Sequence, residues 1–177
     1  MFSKTLTKLI DEAILPAVIL ITAKIGSLLV VNTTLNLSWQ LKGFGISYSS
    51  FSDFVIANTY SSLFMFGVIF VFTMWVLIKS HLFHDSHISP VNSARLVSGR
   101  LTFLIQDSFK LYSQAFIWLS YSWLCVAILG FMALSSLVLG SIFYIAAGFS
   151  FLATVLLIFD IEKELSIRSE SEFVLSE

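Results

Sequence analysis

Few residues in this chain could carry chemistry, and they fall in three places: Lys24, the run from His81 to His87, and Cys125. Lys24 lies inside an apolar stretch, residues 13–31, that is long enough to cross a bilayer. A lysine at the centre of such a helix costs about 2.5–3.5 kcal/mol, and each Ile, Leu, Val or Phe returns roughly 0.3–0.6. The stretch holds eleven Ile, Leu and Val residues, so insertion is expected with the lysine in place. No Asp or Glu lies inside any apolar run to pair with it, and the polar side chains nearest in depth are Thr22, Ser61, Ser62, Ser122 and Ser150. Three uses follow. The ammonium snorkels to an interface or a lipid phosphate; it pairs with an acid in the span of another protein; or it lines a cavity or oligomeric pore and draws in anions.

The segment His81-Leu82-Phe83-His84-Asp85-Ser86-His87 raises the question of a metal. Helical ligands commonly sit three or four residues apart, and His81, His84 and Asp85 satisfy that spacing. A continued helix, however, turns His87 away from His81. Membrane desaturases and hydroxylases with two irons need several histidine boxes, and three histidines in the whole chain exclude that class unless another chain supplies ligands. The run is read as a polar turn at the membrane interface, with a single Zn²⁺ site as the alternative. No metal ligand and no cofactor is assigned.

Catalysis within the membrane fares no better. A serine–histidine dyad needs a histidine at depth and an aspartyl pair needs two acids there, and the apolar runs contain neither. A desolvated lysine can act as a base, so Lys24 with Ser61 or Ser62 is conceivable, but no spacing demands it. No glycine-rich phosphate loop is present. Cys125 is the single cysteine, which rules out an intrachain disulfide and a cysteine-based zinc site. A net charge of −1 without a clustered basic face gives no case for nucleic acid. No catalytic residue is assigned, and the chain is not expected to be an enzyme.

The elements that must position Lys24 follow from composition. Of 177 residues, 57% are hydrophobic and 12% charged, with a mean hydropathy of +0.91. A soluble domain carries about 25% charged residues. The apolar residues also cluster in unbroken runs, which favours helices over barrel strands. Spans are expected at about 13–31, 54–78, 115–137 and 141–159. The last two come from one uncharged stretch, residues 115–159, which as a single helix would extend about 67 Å, twice the hydrocarbon thickness. It must therefore fold back, and Gly140-Ser141 is the expected place. Lys4 and Lys8 resemble the start of a secretory signal, but the run after them is too long and lacks a small-residue cleavage site, so the first span is expected to be retained. The 18 phenylalanines are read as lipid-facing side chains rather than a cofactor box.

With both termini cytoplasmic, eight Lys and Arg residues fall inside and only Lys42 outside. That bias predicts the orientation. The outer loop, about 32–53, carries Trp39, Phe44, Tyr48 and Phe51 and is expected to lie flat on the outer surface. Its glycosylation patterns at Asn32 and Asn36 are expected to be unused, being so near the membrane. In the cytoplasmic loop 79–114, Ser89-Pro90 is a good helix start. From there Val97, Leu101, Leu104, Ile105, Leu111 and Tyr112 recur at helical spacing opposite Arg95, Thr102, Gln106 and Lys110. One amphipathic helix is expected, lying on the inner leaflet or packed under the bundle. The tail 160–177 has six acids and two bases and reads as a solvated end, either a frayed helical extension or disordered. Gly130 and Ala133, with Ala146, Ser150, Ala153 and Thr154, point to close packing of the third and fourth spans.

The fold expected is an all-α integral membrane protein, a four-transmembrane-helix bundle with one interfacial amphipathic cytoplasmic helix, forming one membrane domain over 1–177. The function expected is that of an accessory, scaffold or assembly subunit of a membrane complex. Lys24 is its binding residue, and its partners are lipids and other membrane subunits or further copies of itself. The alternative is a homo-oligomeric pore or carrier for a small anion, with Lys24 in its path. A retained first span, short loops and the charge bias fit the bacterial inner membrane, the expected location, and also fit an organellar or endomembrane one.

Overall fold

The computed structural model describes residues 13–43, 45–82, 90–101 and 108–175. Four of its helices are long and apolar enough to cross a membrane, spanning Leu15–Thr34, Phe51–His81, Lys110–Leu134 and Gly140–Ser166. In chain order the elements are α1 (Leu15–Thr34), β1 (Trp39–Lys42), β2 (Gly45–Tyr48), α2 (Phe51–Leu82), α3 (Pro90–Ser98), α4 (Ser108–Leu134) and α5 (Gly140–Leu175). The apolar stretch 115–159 does fold back: the turn occupies 135–139 and Gly140 opens α5.

The chain divides into two compact units, and α2, α4 and α5 each run through both. The first is formed within Met1–Val71 and Ser120–Ser150. Its core is Leu20, Ala57, Phe66, Ile69, Cys125, Val126, Leu129, Val138, Ile142 and Ala146. There α4 and α5 approach closely, because a Cβ on Gly130 would lie 3.0 Å from Phe143 Cε2. Ser122 and Ser150 share a buried hydrogen bond of 2.6 Å across the same pair, and Ser150 also donates to the Ala146 carbonyl at 2.8 Å. Small residues at these positions let two backbones meet in an apolar setting. The second unit lies within Phe72–Leu119 and Phe151–Glu177. Val76, Leu111, Ala115, Trp118, Leu119, Ala153 and Leu157 are buried in it, and Phe72 stacks on Trp118 at 4.6 Å.

Three helices end in the same way. After α1, α3 and α4 a residue in the left-handed region (Asn36, Arg100, Ser136) reverses the chain, and a leucine amide then reaches back five residues. Leu37 donates to Asn32, Leu101 to Leu96 and Leu137 to Met132, at 3.1, 2.8 and 2.8 Å. This closure satisfies carbonyls that the helix end would otherwise orphan.

It also corrects the loop 79–114. The expected amphipathic helix does not run from Pro90 to Tyr112: α3 stops at Ser98, and Leu111 and Tyr112 belong to α4, where Leu111 is fully buried. Apolar spacing carried through Gly99-Arg100 because periodicity does not register a backbone reversal. Ser89, Thr102, Leu104, Ile105 and Gln106 lie outside the described residues.

The segment between α1 and α2 is not a featureless loop. Trp39–Lys42 and Gly45–Tyr48 pair antiparallel, Trp39 opposite Tyr48 and Lys42 opposite Gly45, with Gly43 at φ +60° in the turn. The alternation was too short to stand out from a polar, aromatic-dotted loop. Tyr48 donates to Asn32 Oδ1 at 3.0 Å, and Ser38 donates to Asp53 through both its amide, at 3.2 Å, and its hydroxyl. Asn32 is buried, which removes one of the two glycosylation patterns as an accessible acceptor.

The tail takes the helical of the two forms expected of it, and the correction concerns how solvated its start is. The helix begun at Gly140 continues through the acidic segment to Leu175, and Asp160 and Glu164 are buried at 9% and 5% exposure. They stand four apart and so share a face, which a count of charges over the whole tail cannot reveal.

Candidate functional site

In the first unit, Lys24 projects from α1 onto one polar stripe of α2. Its Nζ donates to Ser62 Oγ at 2.6 Å, Asn58 Oδ1 at 2.8 Å, Ser61 Oγ at 2.8 Å and the Asn58 carbonyl at 3.1 Å. Positions 58, 61 and 62 follow the i, i+3, i+4 pattern, so a helix puts all three side chains on one face. Each is 7% exposed or less, whereas the large side chains Tyr60, Leu63 and Phe64 are exposed.

Each ligand is itself held. Asn58 Nδ2 donates to the Leu137 carbonyl at 3.0 Å, which turns its oxygen toward Lys24. Ser61 Oγ donates to the Asn58 carbonyl at 3.2 Å, leaving its lone pairs for the lysine. Ser27, one turn along α1, donates to the carbonyls of Lys24 and Ser61 at 3.0 and 3.3 Å. Thr59 Oγ1 accepts the Leu139 amide at 3.1 Å. The turn between α4 and α5 is thereby tied to the same stretch of α2.

An ammonium has three N–H donors, and four oxygens meet it here. All four are neutral. The hydrogen-bonding demand of Lys24 is satisfied, but no carboxylate among the described residues forms an ion pair with it. Beside its alkyl stem lies an apolar cleft of about 330 Å³, whose walls include Leu20, Ile21, Met65, Tyr121, Cys125 and Ile128.

Of the polar residues at similar depth, Ser61 and Ser62 reach Lys24, Ser122 and Ser150 bind each other, and Thr22 is exposed. Asn58 was missed. Its signal in the sequence is that of a third polar residue on the stripe of Ser61 and Ser62, which helical phase selects and depth alone does not.

In the second unit, His81 meets an acid far away in sequence. Its Nδ1 lies 3.6 Å from Asp160 Oδ1, with the His81 side chain 67% exposed and that of Asp160 8% exposed. His84, Asp85 and His87 lie outside the described residues. Among the described residues, no group of three or more His, Cys, Asp and Glu side chains could hold a metal ion. Lys79, two residues before His81, sits 5.4 Å over the Trp75 ring. No family model, curated protein or solved structure matches this chain.

Proposed function

We propose that this chain is a small polytopic membrane subunit, an accessory, scaffold or assembly component with no catalysis of its own. The reading rests on one observation: the donors of Lys24 are met by Asn58, Ser61 and Ser62, yet its charge has no carboxylate partner in the described chain. In a medium of low dielectric, hydrogen bonds to neutral oxygens ease desolvation but do not cancel a charge. A neighbouring membrane protein with an acid at that depth would cancel it from a few ångströms away without displacing the existing bonds. The cleft beside Tyr121 and Cys125 leaves room for the side chains of such a neighbour.

The rival, an oligomeric anion path, draws less support from the same geometry. An anion that sheds its water needs free donors along its route. Lys24 spends its donors on α2. The charge distribution of the loops continues to favour cytoplasmic termini in a bacterial inner membrane, with α3 at the inner surface.

The test is to purify the tagged protein from its own membrane in mild detergent, measure its native mass and identify every chain that accompanies it. The expected outcome is a defined complex with a different membrane protein. Lys24→Met should lower recovery of that partner about fivefold, the worth of a polar contact of roughly 1 kcal/mol between helices. Membrane levels of the variant itself should hold. A symmetric homo-oligomer without other chains, conducting anions that Lys24→Met abolishes, would overturn the reading.

A further inference from the structure

The second unit contains an acceptor with nothing to accept. Asp160 Oδ1 faces His81, but Oδ2 is buried and has no hydrogen-bond partner among the described residues. The Tyr112 hydroxyl, 3.4 Å away, donates to the Asp160 backbone carbonyl and not to its carboxylate. A buried carboxylate oxygen left unpaired is costly, and native proteins rarely tolerate one without a ligand or ordered water. A groove of about 340 Å³ opens on this carboxylate, walled by Met74, Leu77, Ile78 and Leu156 and ending at His81 and Ser80. Ser80 directs its hydroxyl to the Leu77 carbonyl at 2.9 Å.

The groove is polar at one end only. Met74, Leu77 and Ile78 precede His81 by one to two turns of α2, and Leu156 precedes Asp160 by one turn of α5. At 1.5 Å per residue, the apolar walls extend about 5–10 Å from the His–Asp pair. His81 and Asp160 stand where the apolar runs of their helices give way to polar sequence. The polar end therefore lies at headgroup level and the walls at acyl-chain level, which is the form of an amphiphile. The unpaired oxygen calls for a head that donates a hydrogen bond, and the carboxylate's charge favours a cationic one.

We propose that this groove binds a phospholipid bearing a primary ammonium, of the ethanolamine class. The ammonium donates to Asp160 Oδ2, and an acyl chain lies against Met74, Ile78 and Leu156. His81, largely exposed beside the same carboxylate, faces the phosphate two carbons away on the headgroup. A quaternary choline headgroup has no N–H and leaves the oxygen unpaired. Among the described residues a bare divalent ion would find only His81 and Asp160 here, too few ligands for a closed site. The inference stands apart from the subunit reading, since it uses neither Lys24 nor a protein partner.

Native mass spectrometry of the full chain in detergent, titrated with dioleoyl phosphatidylethanolamine, phosphatidylcholine or phosphatidylglycerol, tests it. The ethanolamine lipid should bind about tenfold more tightly than the choline lipid. Asp160→Asn should remove that preference and leave choline binding unchanged. Leu156→Trp, which fills the groove with an apolar side chain, should block the ethanolamine lipid even if the Asp160 variant does not fold. Equal binding of the two lipids by the unaltered protein overturns the proposal. So does an ethanolamine preference that survives both substitutions, or Zn²⁺ that binds through Asp160 and is unaffected by the lipid.

Discussion

Four oxygens around one ammonium make Lys24 and Asn58 strongly interdependent. Replacing Asn58 by Leu removes two donor–acceptor contacts, to Lys24 and to the Leu137 carbonyl; the carbonyl loses its donor, and the ammonium keeps three oxygens for three donors. Such a change should lower stability by about 1–3 kcal/mol, read as thermal unfolding in detergent. If the lysine is first replaced by Met, the same Asn58→Leu substitution should cost measurably less, because the contact to the ammonium is already gone. Simple additivity of the two changes would show that the contact carries no coupling. At Asp160 the balance differs, since one oxygen has a partner and the other has none. Asp160→Asn should therefore be tolerated by the fold better than Asn58→Leu, its main effect falling on lipid binding.

At the scale of elements, the helix ends and the α4–α5 contact govern how the spans are joined. Ser136 adopts φ +57°, a conformation that costs an L-residue roughly 1 kcal/mol and glycine almost nothing. Ser136→Gly should hold or raise the unfolding temperature, and Ser136→Val should lower it. Gly130 is the opposite case, because space rather than backbone angle excludes a side chain. A methyl there meets the Phe143 ring at 3.0 Å, so Gly130→Ala should destabilise by about 1–3 kcal/mol. Phe143→Leu in the same background should recover part of that loss. No recovery would mean that the loss does not come from the Phe143 ring. The periodicity after Pro90 concerns elements too: of its apolar face only Val97 falls within α3, and the pattern ran on across Arg100, where the chain had already reversed.

For the whole molecule, the orientation proposed from the loop charges can be measured with two cysteines in a Cys125→Ala background. Ser50 and Ser98 are both exposed and lie on either side of α2 in sequence. A membrane-impermeant thiol reagent applied to intact cells should label Ser50→Cys at once and Ser98→Cys only after permeabilisation. The reverse pattern overturns cytoplasmic termini. Labelling of both from one side would mean that α2 does not cross.

Hydropathy by itself determined that there are four apolar spans and that the stretch 115–159 folds back, though not that the turn lies at 135–139, because membrane insertion depends on composition summed over about 20 residues. The exceptional standing of Lys24 was equally plain, as a single cation amid apolar neighbours. What surrounds that cation was not legible. Depth selects several serines, but the rotation of α2 about its axis selects Asn58, Ser61 and Ser62 from among them, and rotation is set by packing. The hairpin from Trp39 to Tyr48 escaped notice because four-residue strands draw their stability from pairing and not from local pattern. Asp160 escaped for a related reason. In sequence it is the first of six acids in a polar tail, whereas in space it is buried beside His81, 79 residues away. Composition averages over a segment, while burial is decided one helix face at a time, by whichever element packs against it.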